Sequence, residues 1–321
     1  MSTTSTPDSR LGGTGIQTGR IGLGCVTFGR EIDHDAAFAI MDYAVENGIT
    51  LFDTAESYGD GASDRIVGRW LCSRAMRQRI TVETKITRDF TKPHLREALN
   101  RSLERLGLDQ VDIYMLHSFD ASVPMEETLE GLTQAVEEGR TRFAGCSNFS
   151  AAQLTTALLI SETHGFTRLR VIQPIYNLVE REIESELLPL ARAQDIGVVS
   201  YSPLGAGFLS GKYASDPASI PAGSRFDIKP GHAGIYFKPG HFQVVERLRH
   251  KAALTGVPMV RLAMSWALQN PNVDCVLVGA RCPAHITNAL DALRMPIPAE
   301  WKIEMDNWAG TPLSAPETPP R

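Results

Sequence analysis

Four side chains between positions 53 and 117 can together deliver a proton to an electrophilic oxygen: Asp53, Tyr58, Lys85 and His117. A tyrosine hydroxyl is a weak acid near neutral pH. It needs a cation beside it, and a buried cation needs a carboxylate to hold it. Lys85 and Asp53 carry those charges, and His117 adds a second hydrogen-bonding group for the same oxygen. The spacing is regular, with 32 positions from Asp53 to Lys85 and 32 from Lys85 to His117. Such a recurrence points to one supersecondary unit per interval, with a polar residue at the same place in each. Plainer readings exist for each alone: Asp53 as a helix N-cap, Lys85 as a solvent-reaching strand end, His117 as a structural histidine, Tyr58 as loop packing. Their shared position at strand ends favours one site.

The elements that must hold these residues alternate in type. Short, β-branched runs apolar on both faces read as parallel strands at 21–26, 49–55, 80–86, 111–117, 142–147, 171–175, 197–201 and 274–279. Between them lie helical patterns at 33–47, 62–76, 92–106 and 125–138, one opened by Ser150, one at 182–194, a pair at 241–255 and 258–269, and one from 283. Asp33 suits an N-cap; Ala37, Ile40, Met41, Ala44 and Val45 form a stripe, and Leu95, Leu99, Leu103 and Leu106 another. Eight strand–helix units without a composition break predict a (β/α)8 TIM barrel, with a short N-terminal hairpin and long loops after strand 7. The runner-up, a doubly wound open sheet, lacks a Gly-x-Gly-x-x-Gly turn joining the first strand to a helix. One barrel domain is expected over 11–310, with flexible ends at 1–10 and 311–321. The 213–240 stretch, rich in Gly, Pro and aromatics, reads as a lid or a disordered loop.

A hydrophobic fraction of 43% and a charged fraction of 21% are those of a soluble globular protein. A net charge of −5 gives no footprint for nucleic acid. No uncharged apolar run reaches membrane-spanning length, and the first ten residues do not form a signal peptide, so a cytoplasmic protein is expected. Cys25, Cys72, Cys146, Cys275 and Cys282 are odd in number and lack CxxC spacing; they read as reduced thiols, mostly buried, and no metal is expected.

In a barrel of this kind the site lies at the C-terminal strand ends. Those ends read Asp53, Lys85, His117, Ser147-Asn148, Gln173, Tyr201 and Arg281. The surrounding motifs, Gly22-Leu-Gly-Cys-Val-Thr-Phe-Gly29, Phe52-Asp-Thr-Ala-Glu-Ser-Tyr-Gly59, Gly145-Cys-Ser-Asn-Phe149, the 201–212 segment and Val278-Gly-Ala-Arg281, resemble in order those of the aldo-keto reductase superfamily, in its bacterial general-oxidoreductase branch. The resemblance runs from about residue 10 to residue 295.

It implies metal-free, NAD(P)H-dependent reduction of a small carbonyl, an aldehyde, ketone or sugar derivative, to an alcohol. Tyr58 would be the general acid, Lys85 would lower its pKa, Asp53 would fix Lys85, and His117 would orient the substrate. Cofactor contacts would come from Gly24, Thr27, Ser147, Asn148, Gln173, Tyr201, Ser202, Pro203, Leu204, Gly207, Leu209, Lys212, Gly279, Arg281, His285 and Asn288. Tyr201 would stack on the nicotinamide. Ser147, Asn148 and Gln173 would grip its carboxamide, and the 202–212 segment would wrap the pyrophosphate. Arg281 would meet a 2′-phosphate, which favours NADP(H), with NAD(H) the alternative. Where the family has an acid and then Asn to hold adenine, this chain has Asn288 and Ala289. Phe28, Phe119 and Tyr176, with Glu56, are candidates for substrate contact. An NADPH-binding regulatory or sensor subunit with slow turnover is the second reading. A barrel hydrolase or isomerase using Asp53 and His117 is a third, and it leaves Tyr201 and Arg281 unexplained. The sequence does not reveal the oligomeric state.

Overall fold

The computed structural model of the chain describes residues 8–216 and 220–308. These fall into two compact units, 8–175, 182–201 and 270–290 in the first, and 176–181, 202–269 and 291–308 in the second.

The first unit opens with an antiparallel hairpin of β1 (Asp8–Arg10) and β2 (Gln17–Gly19). Eight parallel strands then close into a barrel: β3 (Ile21–Gly24), β4 (Leu51–Asp53), β5 (Thr81–Ile86), β6 (Val111–Leu116), β7 (Thr141–Ser147), β8 (Leu169–Gln173), β9 (Gly197–Ser200) and β10 (Cys275–Gly279). Each pairs with its sequence neighbour, and β10 closes on β3. This is the (β/α)8 barrel with a short N-terminal hairpin that the repeated units predict. Residues 8–10, expected to be part of the flexible start, pair in the hairpin instead. Residues 1–7 and the tail expected at 311–321 lie outside the described residues.

A barrel interior must be filled, since its strands present every second side chain inward. Leu51, Ile113, Met115, Val171, Val199, Cys275 and Leu277 fill it here, joined by Leu11 and Ile16 from the hairpin turn. Gly12 lets that turn seat against the barrel: a Cβ there would meet the Gly197 backbone nitrogen at 2.3 Å, and its φ is +45°.

Helices α1 (His34–Glu46), α2 (Ala62–Arg74), α3 (Lys92–Leu106), α4 (Met125–Glu137) and α5 (Ala151–His164) follow the strands in turn. Asp33 caps α1 through the Ala36 N–H (3.0 Å), and Ser150 with Gln153 forms a capping box at α5. The helix expected at 182–194 is shorter: a 3-10 turn at Glu182–Glu184 precedes α6 (Leu187–Ala193). Pro189 explains the difference. It fits the first turn of a helix starting at 187, where no N–H is needed, and would break one started at 182.

The second unit contains two one-turn helices, α7 (Arg225–Ile228) and α8 (Ala233–Tyr236), then α9 (Pro239–Thr255), α10 (Met259–Leu268) and α12 (Ala299–Asp306). In its described part the 213–240 stretch packs around its own aromatics. Phe226 lies 4.6 Å from Tyr213 and 5.2 Å from Phe237, and Tyr236 stacks on Phe208 at 5.9 Å. Among the described residues no helix is long and apolar enough to cross a membrane.

Candidate active site

Parallel pairing sets the register of the C-terminal strand ends. Gly24 lies beside Asp53, Asp53 beside Glu83, and Ser147 beside Gln173. Lys85, two residues past Glu83 on β5, therefore points into the same interior as Glu83. Asp53, Glu83 and Lys85 are all buried. Tyr58 sits in the turn after β4, where its N–H donates to Ala55 O (3.0 Å).

The ammonium of Lys85 has three hydrogens and three close acceptors. It donates to Asp53 Oδ1, to Thr54 O at 3.1 Å and to the Tyr58 hydroxyl at 3.3 Å. His117 stands edge-on to Tyr58, ring centroids 5.8 Å apart at 76°. Its backbone N–H donates to Ile86 O (2.9 Å), and its Nδ1 faces the Thr87 hydroxyl at 3.5 Å. Thr87 N in turn donates to Glu56 Oε1 at 2.8 Å. Asp53, Lys85 and His117, picked out by spacing, thus meet Tyr58 in one cluster.

Burial governs their acid–base character. The Tyr58 hydroxyl is pushed up first by desolvation, and Lys85 only partly offsets this, with Asp53 adding to the rise. Lys85 pulls the hydroxyl downward, in the direction its charge requires, but desolvation is larger, and Tyr58 stays a neutral phenol. For Lys85, burial is the largest single effect and favours the neutral amine. Asp53, Tyr58 and Glu83 together outweigh it and hold the group charged. His117 is lowered to about 4, by burial first and by Lys85 second, so its imidazole is neutral near pH 7.

Four further predicted residues form a chain beside this cluster. The Ser147 hydroxyl donates to Gln173 O (2.6 Å). Asn148 Nδ2 donates to His117 O (2.9 Å) and to Ser147 Oγ (3.1 Å), and the Tyr201 hydroxyl donates to Asn148 Oδ1 (2.8 Å). Gln173 Nε2 donates to Asp53 Oδ1 (3.2 Å) and to Glu83 Oε1. Asn148 adopts φ +58°, a conformation Asn tolerates better than most residues. Since the donors of Ser147, Asn148 and Gln173 are all engaged within the protein, what these side chains offer a ligand is acceptors. That suits the NH2 of a carboxamide.

At the end of β10, Thr27 Oγ1 donates to Ala280 O (2.8 Å), which ties the loop after β3 to the loop after β10. Gly279, Arg281 and Asn288 are exposed, and Arg281 N donates to His285 Nδ1 (3.2 Å) near the start of α11 (Pro283–Arg294). Ala289 is fully buried and presents nothing to a ligand. In the second unit, Ser202, Ala206 and the glycines Gly205 and Gly207 all have positive φ. The N–H groups of Gly205 and Gly207 close onto Ser202 O and Leu204 O, and Asn177 Nδ2 donates to Ser202 O at 3.0 Å. Pro203 and Leu209 are buried; Lys212 is exposed, its Nζ 5.0 Å from the Tyr213 ring.

The candidates for substrate contact separate by exposure. Phe28 and Tyr176 are both fully buried, Tyr176 against Trp266 at 5.0 Å, so neither has surface to offer a substrate here. Phe119 is half-buried, edge-on to Phe149 at 5.5 Å, and Glu56 supports Thr87. Three residues of the site went unnoticed in the sequence: Glu83, Thr87 and Thr54. Only Glu83 carried a signal, an acid two positions before Lys85 and so on the same face of its strand.

The family model for the aldo/keto reductase family matches residues 20–307. The chain is 33% identical over 296 residues, 88% of this chain and 90% of the relative, to a probable voltage-gated potassium channel subunit beta of Oryza sativa subsp. japonica. Over 308 residues it is 30% identical to the uncharacterized oxidoreductase YrpG of Bacillus subtilis, covering 90% of this chain and 92% of that one. Over 290 residues it is 33% identical to the aldo-keto reductase YhdN of the same organism, covering 85% and 84%. The chain belongs to the aldo/keto reductase family, whose members are oxidoreductases that generally bind NAD(P)H.

Proposed function

We propose that the protein is an NADPH-dependent carbonyl reductase acting on small aldehydes, ketones or sugar derivatives, with Tyr58 as its general acid. The observation that carries this reading is the ammonium of Lys85, bonded to Asp53 on one side and to the Tyr58 hydroxyl at 3.3 Å on the other. Reduction of a carbonyl develops negative charge on its oxygen, and a neutral phenol is ready to give that oxygen a proton. The tyrosinate left behind is stabilised by Lys85, which Asp53 holds charged. His117, neutral at pH 7, has an N–H to offer the same oxygen, and Thr87 at its Nδ1 orients the ring. NADPH supplies the hydride when bound.

The acceptors of Ser147, Asn148 and Gln173 fit the nicotinamide carboxamide, and the Tyr201 ring is held by its bond to Asn148. Gly24 and Thr27 line the same strand ends. Arg281, beside Gly279 and with His285 and Asn288 on the following helix, supplies the cation that favours NADPH over NADH. In the second unit, Ser202, Pro203, Leu204, Gly207, Leu209 and Lys212 are the candidates for the pyrophosphate. Phe119 remains the candidate for substrate contact.

The potassium-channel beta subunit among the relatives supports a second reading, a nucleotide-binding regulatory subunit with slow turnover. One assay separates the two. NADPH absorbance is followed with a panel of aldehydes, ketones and sugars, and NADPH binding is measured alongside. Consumption with alcohol formed in equal amount supports the reductase. Tight binding with no consumption supports the regulatory subunit. No binding at all contradicts both.

A further inference from the structure

The interior of the barrel holds one acid that the proposed reaction does not use. Glu83 is fully buried, and its two strand neighbours at this level bring Asp53 on one side and Ile113 on the other. Its Oε1 accepts from Gln173 Nε2, and no donor points at its Oε2. Lys85 Nζ lies 3.7 Å from Oε1, but its three hydrogens are already taken by Asp53, Thr54 O and Tyr58. The other titratable groups that feel Glu83 are Asp53, Tyr58 and Cys275, and none of them is a cation.

Two carboxyls therefore share one cation in a space closed off from water. Glu83 and Asp53 are direct neighbours across β4 and β5, both buried, and Glu83 Oε2 has no donor; two carboxylates side by side can make a contact only with a proton between them. We propose that Glu83 is kept as the neutral acid and acts as a positioning residue, donating to the Asp53 carboxylate and accepting from the Gln173 amide. Burial first, and the Asp53 charge second, raise its hold on the proton well above the ordinary carboxyl range, while Lys85 opposes them.

Two consequences follow for the site. An ionised Glu83 would put a net negative charge beneath Tyr58 and oppose the tyrosinate that proton transfer leaves. A neutral Glu83 keeps the Lys85–Asp53 pair balanced. In addition, Glu83 and Asp53 take both hydrogens of the Gln173 amide, which fixes the orientation of Gln173. One carboxylic acid thus joins the proton-delivery pair to the residue proposed to hold the cofactor.

The effect on turnover rests on the reductase reading; the protonation state does not. Infrared spectra of the wild-type protein, unlabelled and with carboxyl-13C glutamate, at mildly alkaline pH, test the proton directly. Glu83 is the one fully buried glutamate among the described residues. A carboxylic-acid C=O band that moves with the glutamate label is expected; its absence overturns the proposal. The positioning role is tested with Glu83→Leu and Glu83→Gln. Leucine leaves the Gln173 amide without its partner and is expected to slow turnover by about tenfold or more and to weaken NADPH binding. Glutamine can donate to Asp53 and accept from Gln173, and is expected to restore turnover to within about threefold of wild type. A role in folding alone would move the Tm of both variants without making Gln better than Leu. Gln no faster than Leu overturns the positioning role. If the wild type fails to oxidise NADPH with any substrate, the reductase reading fails, and the labelled band still decides the state of Glu83.

Discussion

The two ends of the barrel handle buried charge in opposite ways. At the N-terminal end, Asp112 on β6 is one carboxylate with two cations: Arg77 donates to its Oδ2 at 2.9 Å and Arg142 to its Oδ1 at 2.8 Å, with Val82 N–H adding a third bond at 2.9 Å. At the C-terminal end, Lys85 is one cation among two carboxyls and a phenol. The first arrangement is satisfied and has nothing to give. The second has more acidic groups than its cation can serve, so protons must be shared, and a shared proton can be delivered. Within one barrel, then, excess cation serves stability, and under the proposed function deficient cation serves proton transfer.

Substitutions can break this contrast, and the largest effect is expected at Lys85. Lys85→Met removes the charge beside Tyr58 and should lower turnover about a thousandfold. It should also lower Tm, because Asp53 is then buried without its cation. At the other end, Asp112→Ala should cost about 2 kcal/mol in denaturant unfolding and leave kcat unchanged, because Arg77 and Arg142 are partly solvated and only Val82 N–H loses a buried acceptor. A fall in kcat there would erase the distinction between the two ends.

The smallest effect is one of pH. An unfolded histidine takes its proton near 6.5, whereas His117 in the fold waits until about 4. Between those values the unfolded chain binds more protons, so stability falls as pH drops from about 6.5 to about 4. His117→Asn should flatten that part of the Tm–pH curve. In the wild type, turnover should show no step near pH 6.5 from this residue.

The sequence exposed the barrel because strand and helix runs alternate with apolar residues at their proper periods, and because Asp53, Lys85 and His117 recur at equal intervals. It exposed Ser150 as a helix start because capping is local chemistry. It did not expose what depends on direction or depth. Tyr176 and Phe28 have the right residue types for a binding pocket, but packing buries them. Glu83 reads as one polar residue in a strand until the register places it between Asp53 and Ile113 and the Gln173 amide reaches it from β8. The hairpin strand at Asp8–Arg10 is three residues long, too short for any periodicity to show. The break before α6 follows from Pro189, a signal present in the sequence and outweighed there by the apolar run around it.

The most direct test of the central claim is Tyr58→Phe, assayed for NADPH-dependent reduction beside a measurement of NADPH affinity. If the Tyr58 hydroxyl is the proton donor, removing it should lower kcat by about a hundredfold or more while the Kd for NADPH stays near the wild-type value. A variant that keeps turnover within about threefold of wild type would contradict the account, since the cluster around Lys85 would then serve some purpose other than delivering that proton.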